Sequence, residues 1–135
     1  AVEFNFAGLP AGAGGRFFYD ESRRDLGDLG SRLEIRDARV LGLVDDWLDI
    51  DARLSFGPAS NGGPTDLWTF PIQSVSQSEG GFELVHQSVV VMPHWIVTPD
   101  ADGTWKTLMR LDLGRFSRPL AETVTGFSIT GFGST

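Results

Sequence analysis

A row of polar side chains around one tryptophan is the strongest candidate for chemistry in this sequence. The segment Val44–Phe56 alternates between apolar and polar residues, which is typical of a strand, and Trp47 falls on its polar side. The remaining members of that side are mostly charged: Asp45, Asp49, Asp51, Arg53 and Ser55. An indole ring stacks against the C–H face of a sugar, and carboxylate and guanidinium groups bind its hydroxyls. The row predicts a sugar-binding surface with Trp47 as its platform, supported by Asp49 and Arg53.

Two alternatives to this surface stay open from the sequence. A loop or a second domain covers Trp47, or a bulge at Asp45-Asp46 reverses which side chains face the solvent. In either case Trp47 is a packing residue.

A second candidate lies in the central block, LWTFPIQSVSQSEGGFELVHQSVVVMPHW, residues 67–95. A polar run ending in two glycines separates two apolar strand patterns, and this arrangement is typical of a recognition loop between two strands. We expect the loop to be formed by residues 73–79. The side chains expected to contact a ligand from this block are Gln77, Glu79, His86 and Trp95.

Metal binding and catalysis have weaker support. His86 and His94 are eight positions apart without an ordered carboxylate partner, so no zinc site is predicted. The aspartate row could hold calcium, but no Asp-x-Asp-x-Asp-Gly loop is present, and calcium remains only a possible ligand. No nucleophile or phosphate-binding motif occurs. A small hydrolase or lyase that uses Glu79 or Glu83 with His86 is the least favoured alternative.

Composition limits the partners. The 135 residues suit one domain, residues 1–135, and the net charge of −7 disfavours nucleic acid and anionic membrane surfaces. There are no cysteines. No secretory signal and no apolar run long enough to span a membrane is present in the chain, so its localisation is not predicted.

The elements that must position these residues are short strands. Glycine or proline interrupts most apolar stretches, and nine or ten strands result, with a helical turn expected only in Asp20–Gly30. This pattern predicts an all-β, antiparallel sandwich of the jelly-roll kind. Trp68 and Trp105 are expected in its core. A final strand is expected at Glu122–Phe132.

The central block also resembles a known family. Residues 67–95 are similar to the C-terminal β-sandwich region of the α-amylase/4-α-glucanotransferase-like enzymes of glycoside hydrolase family 57. The segments VEFNFAGL near the start and LVDDWLDI (Leu43–Ile50) resemble the same family, so that the likeness spans about residues 1–113. Asp46 stands where the family pattern has Glu, and His86 where it has Tyr. The tail, residues 114–135, has no counterpart.

The resemblance implies an accessory domain in an α-glucan context. The catalytic carboxylates of that family belong to an N-terminal barrel that this chain lacks, so we expect no catalytic residue on this chain. The favoured hypothesis is a non-catalytic module that binds an oligo- or polysaccharide such as starch. The alternative is an architectural domain that packs against a catalytic domain of the same parent protein, with the polar block as an interface or an internal hydrogen-bond network.

Overall fold

The protein forms nine β-strands and no helix within the residues that the computed structural model describes, 1–7 and 11–116. The strands are β1 (Phe4–Ala7), β2 (Arg16–Tyr19), β3 (Asp25–Asp28), β4 (Leu33–Ile35), β5 (Val40–Asp45), β6 (Ile50–Phe56), β7 (Asp66–Ser78), β8 (Gly81–His94) and β9 (Met109–Gly114). The predicted final strand at Glu122–Phe132 lies outside the described residues.

The strands make two antiparallel sheets. The four-stranded sheet has the order β1-β8-β7-β4, and the five-stranded sheet has the order β3-β2-β5-β6-β9. The prediction of an antiparallel all-β sandwich is therefore confirmed. Every hydrogen-bonded strand pair in the described chain is antiparallel, and three of the seven pairs, β2–β3, β5–β6 and β7–β8, join consecutive strands through short turns.

The core lies between the sheets and follows from alternation. In β6, Ala52, Leu54 and Phe56 are buried, while the residues between them reach the other face. Leu67, Val89 and Val91 supply the opposite wall from the four-stranded sheet. Burying one such side chain stabilises the fold by about 1.5–3 kcal/mol, and these positions hold the two sheets together.

Two predicted elements are wrong in a way that matters for the site. Val44–Phe56 is not one strand, because β5 ends at Asp45 and residues 46–49 form a turn before β6 begins. The polar run at 73–79 is not a recognition loop, because its residues up to Ser78 continue β7 in register with β8. The connection between these two strands is only the turn at Glu79-Gly80.

The helical turn expected in Asp20–Gly30 is also absent. The Asp20 carboxylate accepts hydrogen bonds from the backbone N–H groups of Ser22 and Arg24, and this closes a tight turn that leads directly into β3. Aspartate favours such local backbone contacts over helix, and the outcome agrees with that preference.

Candidate functional site

Trp47 projects from the four-residue turn between β5 and β6, and its side chain is 75% exposed. Exposure agrees with the prediction, but its origin differs, because the indole stands at the tip of a hairpin and not on a strand face. Asp49 lies in the same turn and has a positive φ of 55°, a conformation that aspartate adopts more readily than most residues. Trp47 and Asp49 are thus brought together as expected.

A buried carboxylate holds this turn. Asp45 Oδ1 accepts hydrogen bonds from the backbone N–H groups of Trp47 and Leu48, at 2.9 and 3.1 Å. Its other oxygen, Oδ2, accepts a bond of 2.8 Å from Nε of Arg16. The Asp45 side chain is 0% exposed, so the predicted solvent-facing position of Asp45 is wrong. The reason is that both of its oxygens are satisfied inside the fold, which removes the penalty for burial.

These contacts determine the charge of Asp45. Burial by itself raises the pKa of the Asp45 carboxyl, but the hydrogen bond from Arg16 and those from Leu48 and Trp47 outweigh it and hold the pKa below its ordinary value. The Arg16 guanidinium also lies 5.5 Å from the centre of the Trp47 ring, within range of a cation–π interaction. One ion pair therefore fixes both the turn and the orientation of the indole.

Arg53 belongs to a different cluster, on the outer face of the five-stranded sheet. It pairs with Gly42 in the register of β5 and β6. Beside it, the Tyr19 hydroxyl donates a 2.5 Å hydrogen bond to Asp51, and Arg23 binds the same carboxylate at 2.8 Å while lying over the Tyr19 ring. The predicted grouping of Arg53 with Trp47 is not found.

Gln77, Glu79 and His86 lie on a third feature, a two-stranded ribbon. Beyond the part of β7 and β8 that β1 and β4 flank, residues 73–86 continue as a two-stranded hairpin, which we name the arm, and no other strand of the described residues pairs with it. Most of its side chains are exposed. Gln77 and His86 are on the same face of the arm, whereas Glu79 occupies its turn.

The arm does not assemble an acid–base pair from Glu83 and His86. Alternation along β8 directs these two side chains to opposite faces of the ribbon. Glu83 accepts a 3.2 Å hydrogen bond from the Ser78 hydroxyl on its own face. The suggested hydrolase centre at Glu83 and His86 therefore has no geometric basis.

Trp95 lies at the other end of the sandwich from Trp47. Its Nε1 donates a 2.8 Å hydrogen bond to Thr65, which adjoins Ala38 before the start of β5. β6 runs from the Trp47 turn to this end, so about 20 Å separates the two tryptophans along the sheet. Trp95 is half-buried and packs on Trp105, which is half-buried too and not enclosed in the core as predicted.

Trp68 is the residue that sequence reasoning misplaced most clearly. Its neighbours in the chain, Leu67 and Thr69, are buried between the sheets, so Trp68 faces outward and is 45% exposed. It contacts the ring of His94 with centres 4.2 Å apart. The signal available in the sequence was the alternation Asp66, Trp68, which places the indole on the same face as a carboxylate.

Other depressions and a metal site were the remaining candidates within the described ranges. One depression, of about 570 Å³, is lined by glycines and prolines together with Asp37, Arg39 and Phe56, and none of the predicted ligand residues contributes to it. In residues 1–7 and 11–116, no three His, Asp or Glu side chains are grouped as a metal site would require. Over the same residues, no helix is long and apolar enough to cross a membrane.

Comparison with known proteins assigns the class. The family model for the C-terminal region of alpha-amylase/4-alpha-glucanotransferase matches residues 1–109. No curated protein and no solved structure matches the chain. The chain belongs to this family of C-terminal domains, as the resemblance of its central block predicted. It is an accessory, non-catalytic region of a glucan-active enzyme family, and the catalytic domain is not part of the match.

Proposed function

We propose that this accessory domain binds α-glucan chains without cleaving them, with Trp47 as the stacking platform. The observation that carries the proposal is an indole 75% exposed on a turn that a buried carboxylate holds in place. A rigid, exposed indole offers a large apolar surface to a partner at little entropic cost. A sugar ring is a suitable partner because its C–H face is apolar and its edge is polar.

The surroundings of Trp47 suit such a ligand. Asp49 offers an acceptor in the same turn, and Arg115 lies 3.6 Å from it on the exposed surface. Opposite charges lie side by side, which favours a neutral polyhydroxylated ligand over an anion or a cation.

The expected affinity is modest. A shallow surface with one stacking residue gains about 4–6 kcal/mol net, which corresponds to dissociation constants between millimolar and tens of micromolar. The held turn helps, because little conformational entropy remains to be lost when the sugar binds.

The test is a titration with maltoheptaose, followed by tryptophan fluorescence, for the wild type and for Trp47→Ala. Leu48→Ala is the matched control, since Leu48 is exposed in the same turn and its side chain makes no hydrogen bond there. We expect a saturable change in the wild type and in L48A, and in W47A the loss of the part of that change that arises from Trp47. The absence of any response to maltoheptaose in the folded wild type would overturn the proposal.

A second candidate function rests on a different observation, the arm. Val75, Phe82 and Leu84 lie together on one of its faces and are 66–77% exposed. An exposed apolar patch of this kind marks protein-binding surfaces. Because the family consists of the C-terminal regions of enzymes, the partner that this face fits is a catalytic domain of the same parent protein.

Docking through the arm is tested with a purified catalytic domain of an alpha-amylase/4-alpha-glucanotransferase enzyme and this chain, mixed and separated by gel filtration. The variant Phe82→Ser with Leu84→Ser should no longer co-elute. Ser76→Ala on the polar face of the arm is the control and should behave as the wild type. Equal co-elution of the double variant would exclude the arm as the docking surface.

A further inference from the structure

A row of exposed residues crosses the outer face of the four-stranded sheet, away from the Trp47 turn. Glu34 of β4 lies directly opposite Trp68 of β7, and His94 of β8 stacks on the other side of the indole. Leu33 and Ile35 pack into the core on the inner face, so Glu34 must face outward. Three adjacent strands thus contribute one residue each to a continuous row.

Depressions flank the Trp68–His94 stack on both sides. One, of about 270 Å³, is lined by Arg32, Glu34, Trp68 and Phe70, among others. The other, of about 200 Å³, is lined by residues that include Asn61, Asp66, His94 and Trp95. One depression borders Trp68 and the other borders His94, and we name the two depressions together with the stack between them the Trp68 groove.

We propose that the Trp68 groove is a second glycan-binding site that holds a short run of α-linked glucose units. Across three strands spaced about 4.8 Å apart the row extends roughly 10 Å, which accommodates a disaccharide or trisaccharide. The inference rests on the proposed function, because it assumes that the domain binds glucan. The Trp68 groove differs from the Trp47 site in the residues that bind the sugar and in the face of the molecule on which they lie.

The chemistry of the lining favours a sugar over other ligands. Trp68 and Phe70 supply flat apolar surface, and Glu34, Asp66, Arg32 and Asn61 supply both donors and acceptors at its edges. Charges of both signs are present, so neither a phosphate nor a cation is selected. Apolar side chains of the lining, such as Trp68, Phe70, Trp95 and Ile96, are interspersed with charged and polar ones, which suits a sugar better than the continuous apolar patch of a protein interface does.

The site is also held in advance of binding. Thr69, beside Trp68 in the chain, donates its hydroxyl to the Ser31 carbonyl at 2.9 Å and accepts the Leu33 N–H at 3.0 Å. These bonds fasten β4 to β7 on the inner side and fix the spacing between Glu34 and Trp68. A ligand would therefore meet a preformed surface, which lowers the entropy cost of binding.

The experiment is an NMR titration that follows the four indole N–H signals of the tryptophans while maltoheptaose is added. Substitution of each tryptophan by phenylalanine assigns the signals. We expect the Trp68 signal to shift with its own saturation curve, and Trp68→Ala to weaken binding at this face at least tenfold while the Trp47 signal still responds. Glu34→Gln should weaken binding about threefold, and Glu21→Gln, an exposed carboxylate in the turn between β2 and β3, should not.

The possible results separate the two proposals. If the Trp47 signal shifts and the Trp68 signal does not, the Trp68 groove is not a glycan-binding site, and the proposed function stands. If the Trp68 signal shifts and the Trp47 signal does not, the Trp68 groove is supported, and it replaces the Trp47 turn as the glucan-binding site. No shift of any indole at saturating maltoheptaose would overturn both. W68A is expected to fold, because its side chain lies outside the core, and an unchanged pattern of backbone amide signals verifies this.

Discussion

At the scale of single residues, two carboxylates on neighbouring strands, those of Asp45 and Asp51, stabilise different parts of the fold. Asp45 is enclosed and secures the Trp47 turn through backbone N–H groups and Arg16. Asp51, by contrast, accepts the Tyr19 hydroxyl and binds Arg23 on the outer face. Both belong to what the sequence presents as one solvated acidic row, because period-two alternation cannot reveal the turn that separates them.

Removing the Asp45 carboxylate should destabilise the protein strongly. Asp45→Ala leaves the Arg16 guanidinium without its buried partner and the turn N–H groups without their acceptor, and we expect a loss of about 3–5 kcal/mol in the free energy of unfolding. Urea denaturation measures it. Asp49→Ala, an exposed position in the same turn, is the control and should change stability far less.

The Asp45 carboxylate should also make the free energy of unfolding depend on pH. Because the pKa of Asp45 is held below its ordinary 3.8 in the folded state, its contribution is complete above about pH 5 and is lost as pH falls through the lowered pKa. The stability difference between wild type and Asp45→Asn should therefore shrink as urea titrations are repeated at lower pH. A difference that stays constant from pH 7 to pH 2 would contradict this account.

Tyr19 provides a second pH prediction, at the alkaline end. Burial, together with the hydrogen bond to the Asp51 carboxylate, raises the pKa of Tyr19 to about 12 from its ordinary 10.0. Since the fold favours the neutral phenol, its stabilising contribution is present below pH 10 and is lost as pH rises through about 12.

Tyr19 is the single tyrosine of the chain, so the ultraviolet absorbance of tyrosinate reports on it alone. We expect a midpoint near pH 12 in the folded protein and one shifted toward 10 in urea. Asp51→Asn should lower the midpoint in the folded state, because the negative charge beside the phenol is gone. A midpoint of 10 in the native wild type would show that the contact is absent in solution.

At the scale of elements, strands with regular alternation could be predicted from the sequence, whereas the points where the alternation breaks could not. The buried positions of β6 follow from the period-two alternation that the sequence shows over Val44–Phe56. The turn at 46–49 contains no glycine, proline or asparagine, and Asp46 and Asp49 are its only residues of a turn-forming type. The arm was missed for the opposite reason, since serine and glutamine suggest a loop but form a ribbon when neither face has to be buried.

The arm should be the least protected part of the β7–β8 hairpin. Among the residues that the structure describes, the two strands of the arm pair with each other alone, whereas residues 67–69 also pair with β4 and residues 88–91 with β1. Backbone amides of the arm should therefore exchange with deuterium faster than those of 88–91, by tenfold or more. Exchange measured by NMR tests this, and equal protection along the whole hairpin would indicate that the arm is covered by a partner or by a second copy.

At the scale of the whole molecule, the class of fold and the family were accessible from the sequence because both depend on patterns that span most of the chain. The seven predicted ligand residues were not brought together: Trp47 and Asp49 share a turn, Arg53 lies on a sheet face, Gln77, Glu79 and His86 lie on the arm, and Trp95 lies at the far end. Proximity between segments distant in the chain depends on how two sheets pack, and no local pattern records it.

The separation of the Trp47 turn and the Trp68 groove leads to a last prediction. One short oligosaccharide is expected to occupy either site alone, so W47A and W68A should each keep the maltoheptaose affinity of the remaining site. A branched polymer can occupy both sites at once, and the second contact then forms at high effective concentration. In affinity electrophoresis through amylopectin, each single variant should therefore lose most of the retardation of the wild type, at least tenfold in apparent affinity. L48A serves as the control that keeps both sites. If the retardation falls by only half in each single variant, the two sites bind the polymer independently and the prediction is wrong.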